Sequence, residues 1–284
     1  MKIGMNLALW VDTLNDKNLY LLEKCKTIGY DAVELPVFEV DLAVAKLWGR
    51  ALDDLGMARS GGCAFGPDHN MISPAPKIRR AAVDMAKSMV DFCAVAGCPV
   101  LIGHIPSALG VFTGQGPTEQ EWNWAIDGMR EVAEHADSNG VTLGLEAVNR
   151  FECYFFNCMA DTLRFVNDVN HPRCQLMYDT FHANIEEKDV AAALRSVKDH
   201  LVHFHVSECD RSTPGQGGIR WKETFDTLHE IGYNGFLVCE AFGMSLPKLA
   251  AATKIWRKMF VSPDQLAEDA LRFMRKEVAQ RWKS

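Results

Sequence analysis

Eight short runs of β-forming residues recur about every 30 residues along the chain, each followed by a stretch with helical spacing. The runs are KIGMN from Lys2, DAVELP from Asp31, RSGGCAF from Arg59, PVLIGHI from Pro99, TLGLEAV from Thr142, CQLMYDT from Cys174, LVHFHVS from Leu201 and GFLVCEAF from Gly235. Between them, NLYLLEKCKTIG carries apolar residues at helical intervals and stops at Gly29. AAVDMAKSMVDFCAVAG and WAIDGMREVAEHADSNG repeat that design, and WKETFDTLHEIG places Gly232 where a glycine terminates a helix. Strict alternation requires parallel strands, because each crossover must return the chain to the same edge. Eight such units close into a (β/α)8 TIM barrel. The competing open, doubly wound sheet calls for a Gly-rich turn after the first strand, and MKIGMNLALW has none. No linker, low-complexity tract or charge block divides the 284 residues, so a single α/β barrel domain is expected over 1–284. MSLPKLAAATKIWRKMF, after the eighth run, reads as an added helical excursion on the catalytic side.

Bulk properties narrow the partners. With 48% hydrophobic and 24% charged residues the composition is that of an ordinary soluble domain. The net charge of -7 and a pI near 5.7 argue against nucleic acid, where neutralised phosphates supply most of the affinity. Met1 to Asn6 pass directly into an amphiphilic strand, so no signal peptide is expected. No apolar run approaches the roughly 20 residues that span a bilayer. Nine cysteines lie singly, without a C-x-x-C pair, which favours free thiols in a reducing compartment over a zinc ribbon. The cytoplasm is the expected location.

In a barrel of this kind function collects at the C-terminal ends of the strands. There the sequence places Glu146 after LGL, Asp179 after LMY, His205 after HF and Glu240 after LVC, on four consecutive strands. Any one of them alone could be a rim ion pair or a satisfied interior group. Together, three carboxylates and an imidazole on one rim repel or strand one another unless a cation lies among them. The donor set of three oxygens and one nitrogen, with no thiolate, favours Mn2+, Mg2+ or Co2+ over a closed structural zinc site. His203 shares a strand face with His205 by period two and is read as an interior histidine, since His205 lies nearer the C-terminal end.

Such a site suits enolisation. A metal beside a hydroxy-ketone polarises the carbonyl and stabilises the enediolate formed by loss of the adjacent proton. Glu146 and Glu240, on strands five and eight, could flank the substrate, one removing a proton and the other returning it to the opposite face. Arg150, Glu152, His182 and Arg211 on the neighbouring loops offer donors and acceptors for a polyol, although exposed loop charges are as readily solvated.

The segments LEAVNRFE, YDTFHANIEE, HFHVSECDR and EIGYNGFLVCEAF resemble the ketose 3-epimerases, the D-tagatose 3-epimerase and D-allulose 3-epimerase group of the xylose-isomerase-like sugar isomerase and epimerase barrels. The similarity runs over nearly the whole chain and is densest from Leu143 to Phe242. It implies that Glu146, Asp179, His205 and Glu240 hold Mn2+, with Glu146 and Glu240 also the acid/base pair. It implies that Glu152, His182 and Arg211 contact the sugar, that the substrate is a free ketose epimerised at C3 through a cis-enediolate, and that the chain forms a dimer or tetramer. There are departures: NLALWVD where the family places aromatics over the pocket, SECDRSTPGQGG in the seventh loop, and GHIPSALG with His104 near the rim. These leave the preferred sugar open.

Three other outcomes share the scaffold. A C-glycoside-cleaving lyase subunit acting on an oxo-sugar, or a ketol isomerase, would keep the enolisation and change its product. A metal nuclease of the AP-endonuclease kind would need further ligands, for which His69 and His104 are available, but it would also need a basic stripe. PGQGG from Pro214 could cradle a phosphate through backbone N–H groups or be a simple turn at the rim.

Overall fold

A computed structural model describes residues 1–282. All eight expected runs are strands: β1 Lys2–Asn6, β2 Ala32–Pro36, β3 Ala58–Ala64, β4 Val100–His104, β5 Thr142–Glu146, β6 Cys174–Asp179, β7 Leu201–Val206 and β8 Phe236–Cys239. They pair in parallel in chain order, and β1 pairs with β8 from Lys2↔Phe236 to Met5↔Cys239, which closes the barrel. The helices are α1 Tyr20–Ile28, α2 Leu42–Leu55, α3 Pro76–Ala96, α4 Glu119–Ser138, α5 Met159–Val169, α6 Thr180–Glu186, α7 Val190–Ser196, α8 Trp221–Glu230, α9 Pro247–Ala252 and α10 Pro263–Arg281. Gly29 and Gly232 stop α1 and α8 as expected, at φ of 111° and 69°, backbone angles that other residues rarely adopt. The excursion after β8 is α9 and its flanks, which lie over the barrel mouth.

Alternation along the strands sorts the residues into two layers. Val33, Leu35, Leu101, Leu143, Leu145, Leu176, Tyr178, Phe204 and Leu237 are buried against the helices in the main core. Inside the barrel, Val100, Ile102 and Met177 form a separate apolar cluster with Val202. Ile102, Met177 and Val202 meet around Gly144, where a methyl group would come 3.0 Å from Ile102. Above this plug the inward positions turn polar: Asn6, Glu34, Ser60, His203 and His205 are all buried.

The seventh strand departs from strict alternation. Leu201 pairs with Leu176 and His203 with Met177, so β7 carries one extra residue at Val202. Leu201 faces the helices, Val202 packs in the interior cluster, and His203 and His205 then also face inward. The bulge therefore turns both imidazoles toward the barrel axis.

Candidate active site

The C-terminal mouth of the barrel opens into a cavity of about 450 Å³. Its floor and sides hold Asn6, Glu34, Glu146, Glu152, His182, Arg211 and Glu240, and its walls hold Phe38, Leu109, Val148, Phe242 and Leu249. Of the residues expected at the site, Glu146, Glu152, His182, Arg211 and Glu240 line this cavity, and Asp179 and His205 adjoin Glu240. Asp179, His205 and Glu240 bring one donor atom each to within 4.8 Å of the others, and so do Glu146, Asp179 and His182. Asp179 joins the two groups. His182, expected to contact substrate, thus stands close to the ligand-capable carboxylates as well.

Asp179 ends β6 and caps α6. Its Oδ1 accepts from the Phe181 N–H at 2.6 Å, and its Oδ2 accepts from Arg211 Nη1 at 3.1 Å and Ser207 Oγ at 3.3 Å. Arg211 adopts a left-handed backbone (φ 61°) and spans the site, pairing with both Asp179 and Glu240 while Nη2 lies 3.0 Å from His182 Nε2. The guanidinium also stacks 4.0 Å above the Phe181 ring. The Asn149 backbone N–H donates to His182 Nδ1 at 2.9 Å, while Nε2 faces the donor-only Arg211 guanidinium and also lies 3.5 Å from Glu146 Oε1. Asn149 Nδ2 donates to Glu152 Oε1 at 2.8 Å and holds that carboxylate at the rim. Arg150 turns away from the cavity and binds Glu186 in a bidentate pair.

Burial and close charges set the electrostatics of the site. Burial pushes the Glu146 carboxyl well above the ordinary range, and the charges of Glu240 and Asp179 add to it. Burial likewise raises Glu240, to about 7, against the pull of His205 and Arg211. At Asp179 burial acts upward too, but the Arg211 guanidinium and the His205 imidazole override it and hold the carboxyl low. His205 Nδ1 is buried without a hydrogen-bond partner, 3.6 Å from Asp179 Oδ2 and 3.5 Å from Glu240 Oε1. An orphaned nitrogen aimed between two carboxylates, beside a third whose neighbours disfavour its charge, fits a divalent cation.

Two residues escaped the sequence reading. Glu34, in the middle of β2, is fully buried and bonded to both His203 and His205. Its signal was a carboxylate inside DAVELP, a run otherwise apolar. Glu208 is also fully buried, and its carboxylate accepts from the backbone N–H groups of Cys209, Gly215 and Ile219 and from Trp221 Nε1, at 2.9–3.2 Å. In PGQGG the Gly215 N–H is taken by this carboxylate, the Gln216 N–H by the Thr213 carbonyl and the Gly218 N–H by Cys209 Sγ, so these three are not free for phosphate. His104 is likewise engaged, through Nδ1 with the Glu146 carbonyl at 2.8 Å and through Nε2 with Ser107 at 2.7 Å. Among the described residues, neither His104 nor His69 belongs to a group able to hold a metal.

Known proteins resemble this chain in sequence and fold. The xylose isomerase-like TIM barrel family matches residues 22–277. The D-psicose 3-epimerase of Ruminiclostridium cellulolyticum is 32% identical over 93% of this chain and 92% of its own. The L-ribulose 3-epimerase of Mesorhizobium japonicum is 31% identical over 96% and 93%. A solved L-ribulose 3-epimerase structure superposes with a TM-score of 0.93 at 28% identity, covering 99% of this chain and 96% of the other. The chain therefore belongs to the xylose isomerase-like TIM barrel family, among its ketose 3-epimerases, and is an enzyme of the isomerase class.

Proposed function

We propose that the protein epimerises a free ketose at C3 through a cis-enediolate, with Glu146 and Glu240 as the acid/base pair. The observation that carries this reading is their position: the two carboxylates rise from β5 and β8, three strands apart around the ring, into one cavity. A divalent ion held by Glu146, Asp179, His205 and Glu240, with Mn2+ the preferred species and Mg2+ or Co2+ as substitutes, supplies a Lewis acid beside the sugar carbonyl. One glutamate takes the C3 proton and the other delivers a proton to the opposite face, which inverts the centre. Burial raises both carboxyls, Glu240 to about 7, which favours their carrying a proton. Arg211 lines the cavity as a donor, where it can share the negative charge that develops on the sugar oxygens, with His182 beside it. Glu152 accepts from a sugar hydroxyl, and Phe38, Leu109, Val148, Phe242 and Leu249 exclude water from the enediolate.

Relatives named for D-psicose, L-ribulose and ketose 3-epimerisation support a ketose substrate. The test is incubation with D-fructose, D-tagatose and L-ribulose in D2O. Deuterium should enter C3 with inversion. Exchange without inversion would replace the epimerase by an isomerase or lyase, and no exchange on any ketose would remove enolisation.

The rim offers a surface for a dimer or tetramer. Phe112, Phe151 and Ile185 are 50%, 72% and 37% exposed on the β4–α4 loop, the β5–α5 loop and α6, beside the cavity. A second copy covering this face would give a dimer, alone or as half of a tetramer. Light scattering should report at least a dimer and Phe151→Asp should shift it toward monomer; a monomeric wild type would refute the assignment. The nine free thiols fit a reducing cytoplasm, and no helix of the described residues is long and apolar enough to cross a membrane.

A further inference from the structure

We propose that Glu34 is a positioning residue of the metal centre: its carboxylate holds the His205 ring so that Nδ1 faces Asp179 and Glu240, and through Asn6 it also aims the Glu240 carboxylate. The inference rests on the metal reading above.

Glu34, His203 and His205 are close enough to suggest an ion site of their own. The hydrogen bonds exclude it. Oε1 takes Asn6 Nδ2 at 2.9 Å and His205 Nε2 at 2.8 Å, while Oε2 takes Ser60 Oγ at 3.0 Å and His203 Nε2 at 2.9 Å. An ionised carboxylate has about four acceptor positions, and here each faces a donor. No lone pair remains for a cation, and both imidazoles turn a protonated nitrogen toward the oxygens. The group is an anion caged by donors from β1, β3 and β7, bracing opposite sides of the barrel.

The consequence for His205 is geometric. A carboxylate can only accept, so the bond to Glu34 assigns Nε2 as the donor and Nδ1 as the nitrogen available to a metal. Nδ1 is buried and, like His203 Nδ1 and the Tyr178 hydroxyl, finds no hydrogen-bond partner in the protein. Asn6 extends the brace. Its Oδ1 accepts from the Ala8 N–H at 2.8 Å, which fixes the amide, and Nδ2 then reaches both Glu34 and, at 3.3 Å, Glu240 Oε1. Two of the four expected ligands are thus oriented from one carboxylate on β2. Gly62 lines the remaining side, where a methyl group would come 3.1 Å from Glu34 Oε1, so the glycine keeps the space the carboxylate occupies.

Partners of this type typically change metal affinity 10- to 100-fold. The test is Mn2+ titration by calorimetry on stripped, full-length protein, with circular dichroism and melting of the metal-free forms alongside. Glu34→Gln should weaken Mn2+ binding by about 10- to 100-fold while the metal-free fold is kept. Ser60→Ala removes a donor to the same carboxylate but leaves the His205 bond, and should stay within about threefold of wild type. If Glu34→Gln does not fold, Glu34→Asp, whose shorter carboxylate withdraws from the imidazole, should show the same loss. Wild-type affinity in a folded Glu34 variant, or equal losses in Glu34→Gln and Ser60→Ala, would overturn the proposal. A wild type that takes up no Mn2+ would overturn the metal reading itself.

Discussion

Glu240→Gln will fold, bind Mn2+ and turn over about 10²–10⁴-fold more slowly than the wild type. Glutamine keeps one oxygen for the cation and for one of the two donors, Arg211 and Asn6, that hold the separate oxygens of Glu240. What it loses is the ability to carry a proton. The division of labour between the two faces makes the expectation sharper than a loss of rate. If Glu146 serves one face of C3 and Glu240 the other, the variant should still exchange deuterium into one epimer through Glu146. That exchange should occur without inversion, because the second proton cannot be delivered. The other epimer should not exchange at all, and Glu146→Gln should show the reverse preference. Metal content measured on the same samples separates this outcome from ligand loss. Inversion at wild-type rate in either variant would defeat the acid/base assignment.

The barrel was legible because its determinants are local and repeat. KIGMN, TLGLEAV and GFLVCEAF each combine a short apolar run with a breaker, and Gly29 and Gly232 mark helix ends by a backbone demand few residues meet. The strand-end ligands were legible for a related reason: fold geometry converts a position in sequence into a position on the rim. Strand seven shows where this stops. Alternation puts Leu201, His203 and His205 on one face, whereas the bulge at Val202 sends Leu201 outward and both histidines inward. LVHFHVS contains no glycine to announce it. Glu34 was missed because it lies mid-strand rather than at a strand end, and its partners come from 26 to 171 positions away. Glu208 stood in the SECDR segment, but its role depends on how a loop folds back on it. Arg150 had the right chemistry beside Glu146 and yet pairs outward with Glu186. Such choices are made by tertiary packing that residue types do not encode.

Removal of the metal should abolish turnover and reverse the dependence of stability on pH. Stripped of its cation, the site confines Glu146, Asp179 and Glu240 together, and burial with mutual repulsion raises Glu146 and Glu240. A carboxyl whose folded value lies above its unfolded value of about 4.3 keeps its proton in the folded state after the unfolded chain has released it. Stability then falls as pH rises through that interval. His205, raised chiefly by Glu34 and Glu240 against the effect of burial, has the same sign above about pH 6.5. Burial and Arg211 lower His182, and burial lowers His203 against the pull of Glu34; these two oppose the trend only below about pH 6.5, where unfolded imidazoles bind protons. Asp179 and Glu34, held low by their cationic partners against burial, have contributed in full once the pH exceeds about 4.5. Between about pH 6.5 and 8 Glu146, Glu240 and His205 therefore act together, opposed in part by the Cys153 thiol, which burial raises but His104 brings down to about 7. Across this window the melting temperature of the stripped protein should fall, by on the order of 5 °C. With Mn2+ at about a thousand times its dissociation constant the fold should gain about 4 kcal/mol. The slope should also flatten or invert, since binding requires the ligands to be deprotonated and gains with pH. Melting curves of stripped and Mn2+-loaded protein at four pH values, with turnover measured on the same samples, decide the matter. A stripped protein that melts independently of pH across this window, or that still epimerises, would mean the three carboxylates and His205 do not compete for one missing cation.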